Sequence, residues 1–305
     1  MTGHHCLHYA VAATVALLLS PPLLPTAGAD EPAAEVPFRQ PWTGAVVVPV
    51  TANGMGPYSF LVDTGSSHTA VSERLASQLG APRVAKTQLS STGGDTWAAV
   101  VRISHLSVAA LDVRDVLATE LPPGGLFDTG TIDGVLGRDV LERRSFTIDY
   151  RRQVLQWTDA VESRSVSLAL DVREPVWFVT VDSEGSRLRL IPDSGATGMV
   201  VFDRGQWPCL RQLSGTAGVE TVTRHASGRI GELRQLNIGG ERLVNQRVTV
   251  LDGTQVAATH GDGLLPLHWF DRVTFDLARG HLILGRASTG RMLASALREP
   301  GVQTE

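Results

Sequence analysis

Tyr58-Ser59-Phe60-Leu61-Val62-Asp63-Thr64-Gly65 and Arg187-Leu188-Arg189-Leu190-Ile191-Pro192-Asp193-Ser194-Gly195 are two versions of one pattern. In each, an alternating stretch with the period of a half-buried strand delivers an aspartate at its end, and a short hydroxyl residue and a glycine follow. Either triplet alone is ordinary turn chemistry, since Asp caps its own backbone and Gly accepts positive φ. The two aspartates, however, stand 130 residues apart in surroundings that also repeat. Asp133-Gly134-Val135-Leu136-Gly137 lies 70 residues after Asp63, and Asp262-Gly263-Leu264-Leu265-Pro266 lies 69 after Asp193. Each is followed by a short helical signal and a strand pair: Ser145 to Asp149 with Val154 to Trp157, and Val273 to Asp276 with His281 to Leu284. Landmarks repeated in one order mark a duplicated unit, a lobe written twice with one carboxylate in each copy.

Strand signals dominate the rest of the chain, which makes the fold class all-β. Ala45 to Val50 opens the first copy, and Val166 to Leu170 with Val176 to Asp182 opens the second. The clearest helix is Ser72 to Leu79, with Ser72 as N-cap, Leu75 and Leu79 on one face and Gly80 as terminator. The lobes are assigned to residues 42–160 and 161–290, divided within the polar stretch Thr158 to Arg164. Residues 30–41, bearing Pro and Glu, read as a tether, and residues 291–305 as a tail.

On these paired motifs the chain resembles the pepsin and retropepsin clan of aspartic peptidases, specifically the bacterial retropepsin-like proteins with two lobes in one polypeptide. The resemblance spans roughly residues 42 to 286. It implies a bilobal acid-protease fold, two β-barrel-like lobes with a cleft between them that takes an extended peptide. It also implies Asp63 and Asp193 as a catalytic pair, with Thr64, Gly65, Ser66, Ser194 and Gly195 in support. Two departures stand in the second copy: Pro266 where the family pattern has Gly, and Pro192 where an apolar strand residue is usual. Proline removes a donor and fixes φ, so the second loop is expected to be built differently. A substrate-covering hairpin is expected as well, with Ser91-Thr92-Gly93-Gly94-Asp95 as its turn and Trp97 to Ile103 as one arm. In the second copy, Gly215 to Gly218 and Gly228 to Gly231 are the turn candidates.

The chemistry gives the pairing a reason. Two carboxyls within hydrogen-bonding distance cannot both ionise cheaply, so they share one proton over a wide pH range, with apparent pKa values split by roughly 3. One member is then a base and the other an acid, and a water held between them can attack a peptide carbonyl without metal, cofactor or covalent intermediate. Thr64 and Ser194 each offer a hydroxyl able to bond across to the opposite loop. Ser66, three residues after Asp63, offers a further hydroxyl to that carboxylate, whereas Ala196 offers none to Asp193. The first carboxylate is therefore expected to carry the charge. The alternative is a non-catalytic peptide-binding or envelope-associated protein that keeps the lobes but not the chemistry.

Residues 1–29 read as a secretory signal: an apolar run from Ala10 to Leu19, then Ala27-Gly28-Ala29 before Asp30, with His4, His5 and His8 but no Lys or Arg in the n-region. Ten apolar residues are too few to span a bilayer. The expectation is an exported protein, periplasmic or secreted, with no stable membrane span. Of two cysteines, Cys6 falls in this segment and Cys209 is left alone, so the mature chain has no intramolecular disulfide. Both half-sites lie in one chain, which points to a monomer. A net charge of −4 with scattered basic residues argues against nucleic acid, leaving a peptide or protein as the expected partner. His260 and His268, beside the second Gly motif, read as loop histidines. There is no Gly-x-x-x-x-Gly-Lys, no Gly-x-Ser-x-Gly and no His-Glu-x-x-His, which removes the main competing enzyme classes.

Overall fold

The computed structural model describes residues 35–292, apart from 92–93, 122, 128–129, 159–165, 206, 221–224, 254–260, 289 and 291. The signal segment, the proposed lobe boundary, Gly93, His260 and residues 293–305 of the tail lie outside the described residues.

The described chain is all-β and bilobal. In the first lobe the strands are β2 (Val47–Ala52), β3 (Met55–Val62), β4 (Ala70–Ser72), β5 (Arg83–Ser91), β6 (Gly94–Val108), β7 (Leu111–Leu121) and β8 (Gly134–Leu136). They form a sheet in the order β2-β3-β8-β4-β7-β6-β5, and a further pairing of β2 with β6 closes six of them into a barrel with β5 added outside. In the second lobe they are β12 (Val179–Ser183), β13 (Ser186–Asp193), β14 (Val200–Asp203), β15 (Leu210–Glu220), β16 (His225–Ile238), β17 (Glu241–Asp252) and β18 (Gly263–Pro266). Their order, β12-β13-β18-β14-β17-β16-β15 with β12 closing on β16, repeats the first strand for strand. Even the turns match. Asn53-Gly54 (φ 50° and 76°) joins β2 to β3, and Glu184-Gly185 (φ 48° and 83°) joins β12 to β13. Two successive positive-φ residues twist the chain in the sense that suits a two-residue hairpin.

Between the lobes lies a six-stranded sheet of β1 (Glu35–Pro37), β9 (Phe146–Asp149), β10 (Val154–Trp157), β11 (Val166–Ala169), β19 (Arg272–Asp276) and β20 (His281–Leu284). Its order is β1-β10-β9-β19-β20-β11. The pseudo-twofold runs through the β9–β19 pair, where Thr147 faces Thr274 with their buried hydroxyls 2.7 Å apart. Beside them Phe146 stacks on Phe275, centroids 4.6 Å apart, with Trp157 and Trp177 at the flanks. Such aromatic pairs add about 0.5–1.5 kcal/mol each beyond the area they bury. One apolar core runs through both barrels and this sheet.

Two expectations need correction. Residues 35–37, read as tether, pair with β10, and Val36 and Phe38 alternate into the core while Glu35 and Pro37 face out. A three-residue strand is too short to announce itself by periodicity. Met292, placed in the tail, is buried against the same core. The helix at Ser72 appears as α1 (Glu73–Gln78), with the Ser72 hydroxyl accepting from the Leu75 N–H at 3.1 Å.

Candidate active site

β3 and β13 carry the two aspartates to one place at the lobe junction. Strand geometry continues through Asp63, whose N–H donates to the Leu136 carbonyl at 3.0 Å, and Asp193 lies in register with Pro266. Past them the two loops lock symmetrically. The Thr64 hydroxyl donates to the Pro192 carbonyl (2.7 Å) and accepts from the Ser194 N–H (3.0 Å). The Ser194 hydroxyl donates to the Val62 carbonyl (2.7 Å) and accepts from the Thr64 N–H (3.1 Å). Proline at 192 leaves the lock intact, because the lock uses its carbonyl and not the N–H it lacks.

The two carboxyls approach each other, each lying beside the glycine of the opposite loop. Gly65 makes the approach possible, and Gly195 leaves it ordinary contact distance. A Cβ at Gly65 would lie 2.9 Å from the Asp193 carboxyl carbon, and one at Gly195 would lie 3.4 Å from that of Asp63. Asp63 Oδ1 accepts the Gly65 N–H at 2.9 Å, and Asp193 Oδ1 accepts those of Gly195 and Ala196 at 2.7 and 3.1 Å. Burial pushes the Asp63 carboxyl above the ordinary range, opposed by the backbone N–H groups of Gly65 and Ser66 and by the Asp193 side chain beside it. Burial and then the charge of Asp63 push Asp193, only 8% exposed, well above it. Both carboxyls are thus pushed up, Asp193 the further of the two. The Ser66 hydroxyl takes no part in this difference, because it donates to the His68 carbonyl at 2.8 Å.

The loops differ where the second strand threads past. In the first lobe the Gly137 N–H donates to the Thr69 hydroxyl (3.2 Å), which donates in turn to Asp139 (2.8 Å). A Cβ at Gly137 would meet the His68 carbonyl carbon at 2.3 Å. In the second lobe Pro266 has no N–H to give, and Met199 stands where Thr69 would receive it. Donor and acceptor are lost together, and Gly198, opposite, has open space around it.

Arg138, opening α2 (Arg138–Leu141), donates to the carbonyls of Val172 (2.6 Å) and Glu174 at the entry of the second lobe, and its guanidinium lies 5.3 Å from the Trp177 ring centroid. Reciprocally, Gly44 at the entry of the first lobe presses on His268, where a Cβ would come 2.6 Å from Nδ1. His268 is thus a buried interface residue in the 3-10 turn Leu267–Trp269, not a loop histidine. Aligning Gly137-Arg138-Asp139 with Pro266-Leu267-His268 was the available signal.

Of the hairpin residues, Gly94 opens β6 opposite Ser91, and Trp97 pairs with Gln88 and is 71% exposed. In the second lobe the candidate turn glycines lie on the hairpin arms instead, with Ala217 opposite Gly228 and Thr216 opposite Arg229. Gly sits on these arms without making a turn. Among the described residues no three His, Cys, Asp or Glu side chains are grouped to hold a metal ion, and no helix is long and apolar enough to cross a membrane.

Residues 48–140 match the profile of a family described as aspartyl protease, a segment that runs from β2 into α2. No curated protein matches the chain. The matched segment forms the first lobe and the second repeats its strand order, an arrangement that fits an aspartyl protease with two lobes in one polypeptide.

Proposed function

We propose that the protein is an aspartic endopeptidase in which Asp63 and Asp193 activate a water for attack on a peptide bond. The observation that carries this reading is the close approach of two carboxyls, Asp193 buried and Asp63 part-buried, on cross-locked loops, an arrangement that is costly for a fold to keep without use. With the proton on Asp193, the charged Asp63 takes a proton from water as its oxygen attacks the carbonyl carbon. Asp193 gives its proton to the carbonyl oxygen. Collapse of the tetrahedral species then breaks the C–N bond as Asp63 passes the proton it took to the leaving nitrogen and Asp193 takes one back from a diol hydroxyl, which re-forms the carbonyl and restores the pair.

The test is cleavage of a peptide mixture of varied sequence by the wild type and by Asp63→Asn, Asp193→Asn and the double variant. Each single change is expected to lower kcat/KM by at least about a thousandfold, with the double little worse, because the two groups act as a unit. Substantial activity in either single variant would rule out a shared water. A wild type that binds peptides without cutting any would make the protein a binding module.

A further inference from the structure

Side chains two apart on a strand share a face, so Leu61 projects to the side of β3 that carries Asp63. On that side Val47 pairs with Leu61, Val135 with Leu61, and Ala70 with Val135, forming an apolar floor separate from the barrel core. A peptide lying across the carboxylates would pass over this side of β3.

The floor is already covered. Leu61 is 4% and Val135 1% exposed, while Phe127, from the 3-10 turn Gly125–Phe127, packs into the same cluster at 8%. Trp42, half-buried, lies against it from the entry turn of the first lobe. That turn is fixed in place. The Trp42 carbonyl accepts the Ala45 N–H at 3.2 Å, Ala45 is itself buried in the cluster, and Gly44 between them (φ 84°) presses on His268 of the other lobe.

Resting on the peptidase reading above, we infer that Trp42 and Phe127 are specificity-determining residues. They cover the apolar floor on the side of β3 that carries Asp63, so that the substrate side chain on that flank of the scissile bond must be small, of the size of Gly, Ala or Ser. A larger side chain gains apolar contact only by displacing Trp42 and breaking the packing of the entry turn. Close-packed interiors accept that poorly.

The test uses the full chain and four non-cleavable hydroxyethylene peptides that carry Ala or Leu on either side of the isostere, with binding read by calorimetry. The same peptide mixture, read by mass spectrometry, reports cleavage. Wild type is expected to bind the Ala form at least tenfold more tightly than the Leu form at one of the two flanking positions, a size of discrimination that a methylene or two can supply. Trp42→Ala should erase or reverse that preference at that position only. Trp42→Leu, which keeps apolar cover, should act in the same direction more weakly, and Phe127→Ala in the same direction as Trp42→Ala. A wild type that prefers Leu at both positions, or a folded Trp42→Ala with an unchanged ratio, overturns the inference. Cleavage of the mixture at bonds flanked by large side chains on both sides also overturns it and leaves the peptidase reading standing. Neither binding nor cleavage of any peptide removes both.

Discussion

At the scale of single residues, Asp193 shows what the site costs the fold. Its carboxyl is held above the ordinary range by burial and by the charge on Asp63. Between the ordinary aspartate value near about pH 4 and that raised value, the folded chain binds more protons than the unfolded one. Stability therefore falls as pH rises through this window. Asp193→Asn keeps a donor toward Asp63 and has no charge to bury, so it is expected to lose activity yet melt at a higher temperature than wild type near pH 7. The difference should shrink toward zero at about pH 4 and below, where the unfolded carboxyl is protonated too. Melting curves of both proteins across that range check it. A variant less stable than wild type at pH 7 would mean that Asp193 is favourably ionised and that the proton is elsewhere.

At the scale of elements, the cross-lock between the loops after β3 and β13 is where local chemistry becomes lobe geometry. Thr64→Ala removes a donor to the Pro192 carbonyl and an acceptor for the Ser194 N–H, both buried. Each stranded group costs about 1–3 kcal/mol, so a loss of roughly 2–6 kcal/mol is expected by urea unfolding, whereas Thr64→Ser should be close to neutral. A loss under about 0.5 kcal/mol would show that the loops are held by strand packing alone. This geometry was legible in the sequence because it is short-range and written twice: a strand, an aspartate, a hydroxyl and a glycine at one spacing in both halves. Less was legible where the deciding partner is remote. Nothing near Pro266 says that Met199 has dropped the matching acceptor, and nothing near Ser66 says that its hydroxyl finds the His68 carbonyl before the carboxylate. The contacts of Arg138 and His268 with the opposite entry turns emerge only when the two lobes are together. The strand at 35–37 was missed for the opposite reason, being too short to hold a period.

At the scale of the whole molecule, one apolar core shared by two barrels and a common six-stranded sheet makes the lobes interdependent, so stability has to come from packing and not from covalent staples. We propose that the chain is exported, loses its first 29 residues and works as a monomer, both half-sites being present in one polypeptide. Only Cys209 then remains, and its thiol is free and buried in the core of the second lobe. A buried thiol reaches neither a partner thiol nor a reagent until the packing around it opens. Mature protein recovered after export is therefore expected to begin at or near Asp30, to sediment as a monomer, and to melt at the same temperature with and without reductant. A thiol reagent should label it slowly when native and rapidly once unfolded. An intact first residue in exported material would refute cleavage. A dimer that reductant dissolves would show that Cys209 reaches the surface, and that the core of the second lobe opens there under native conditions.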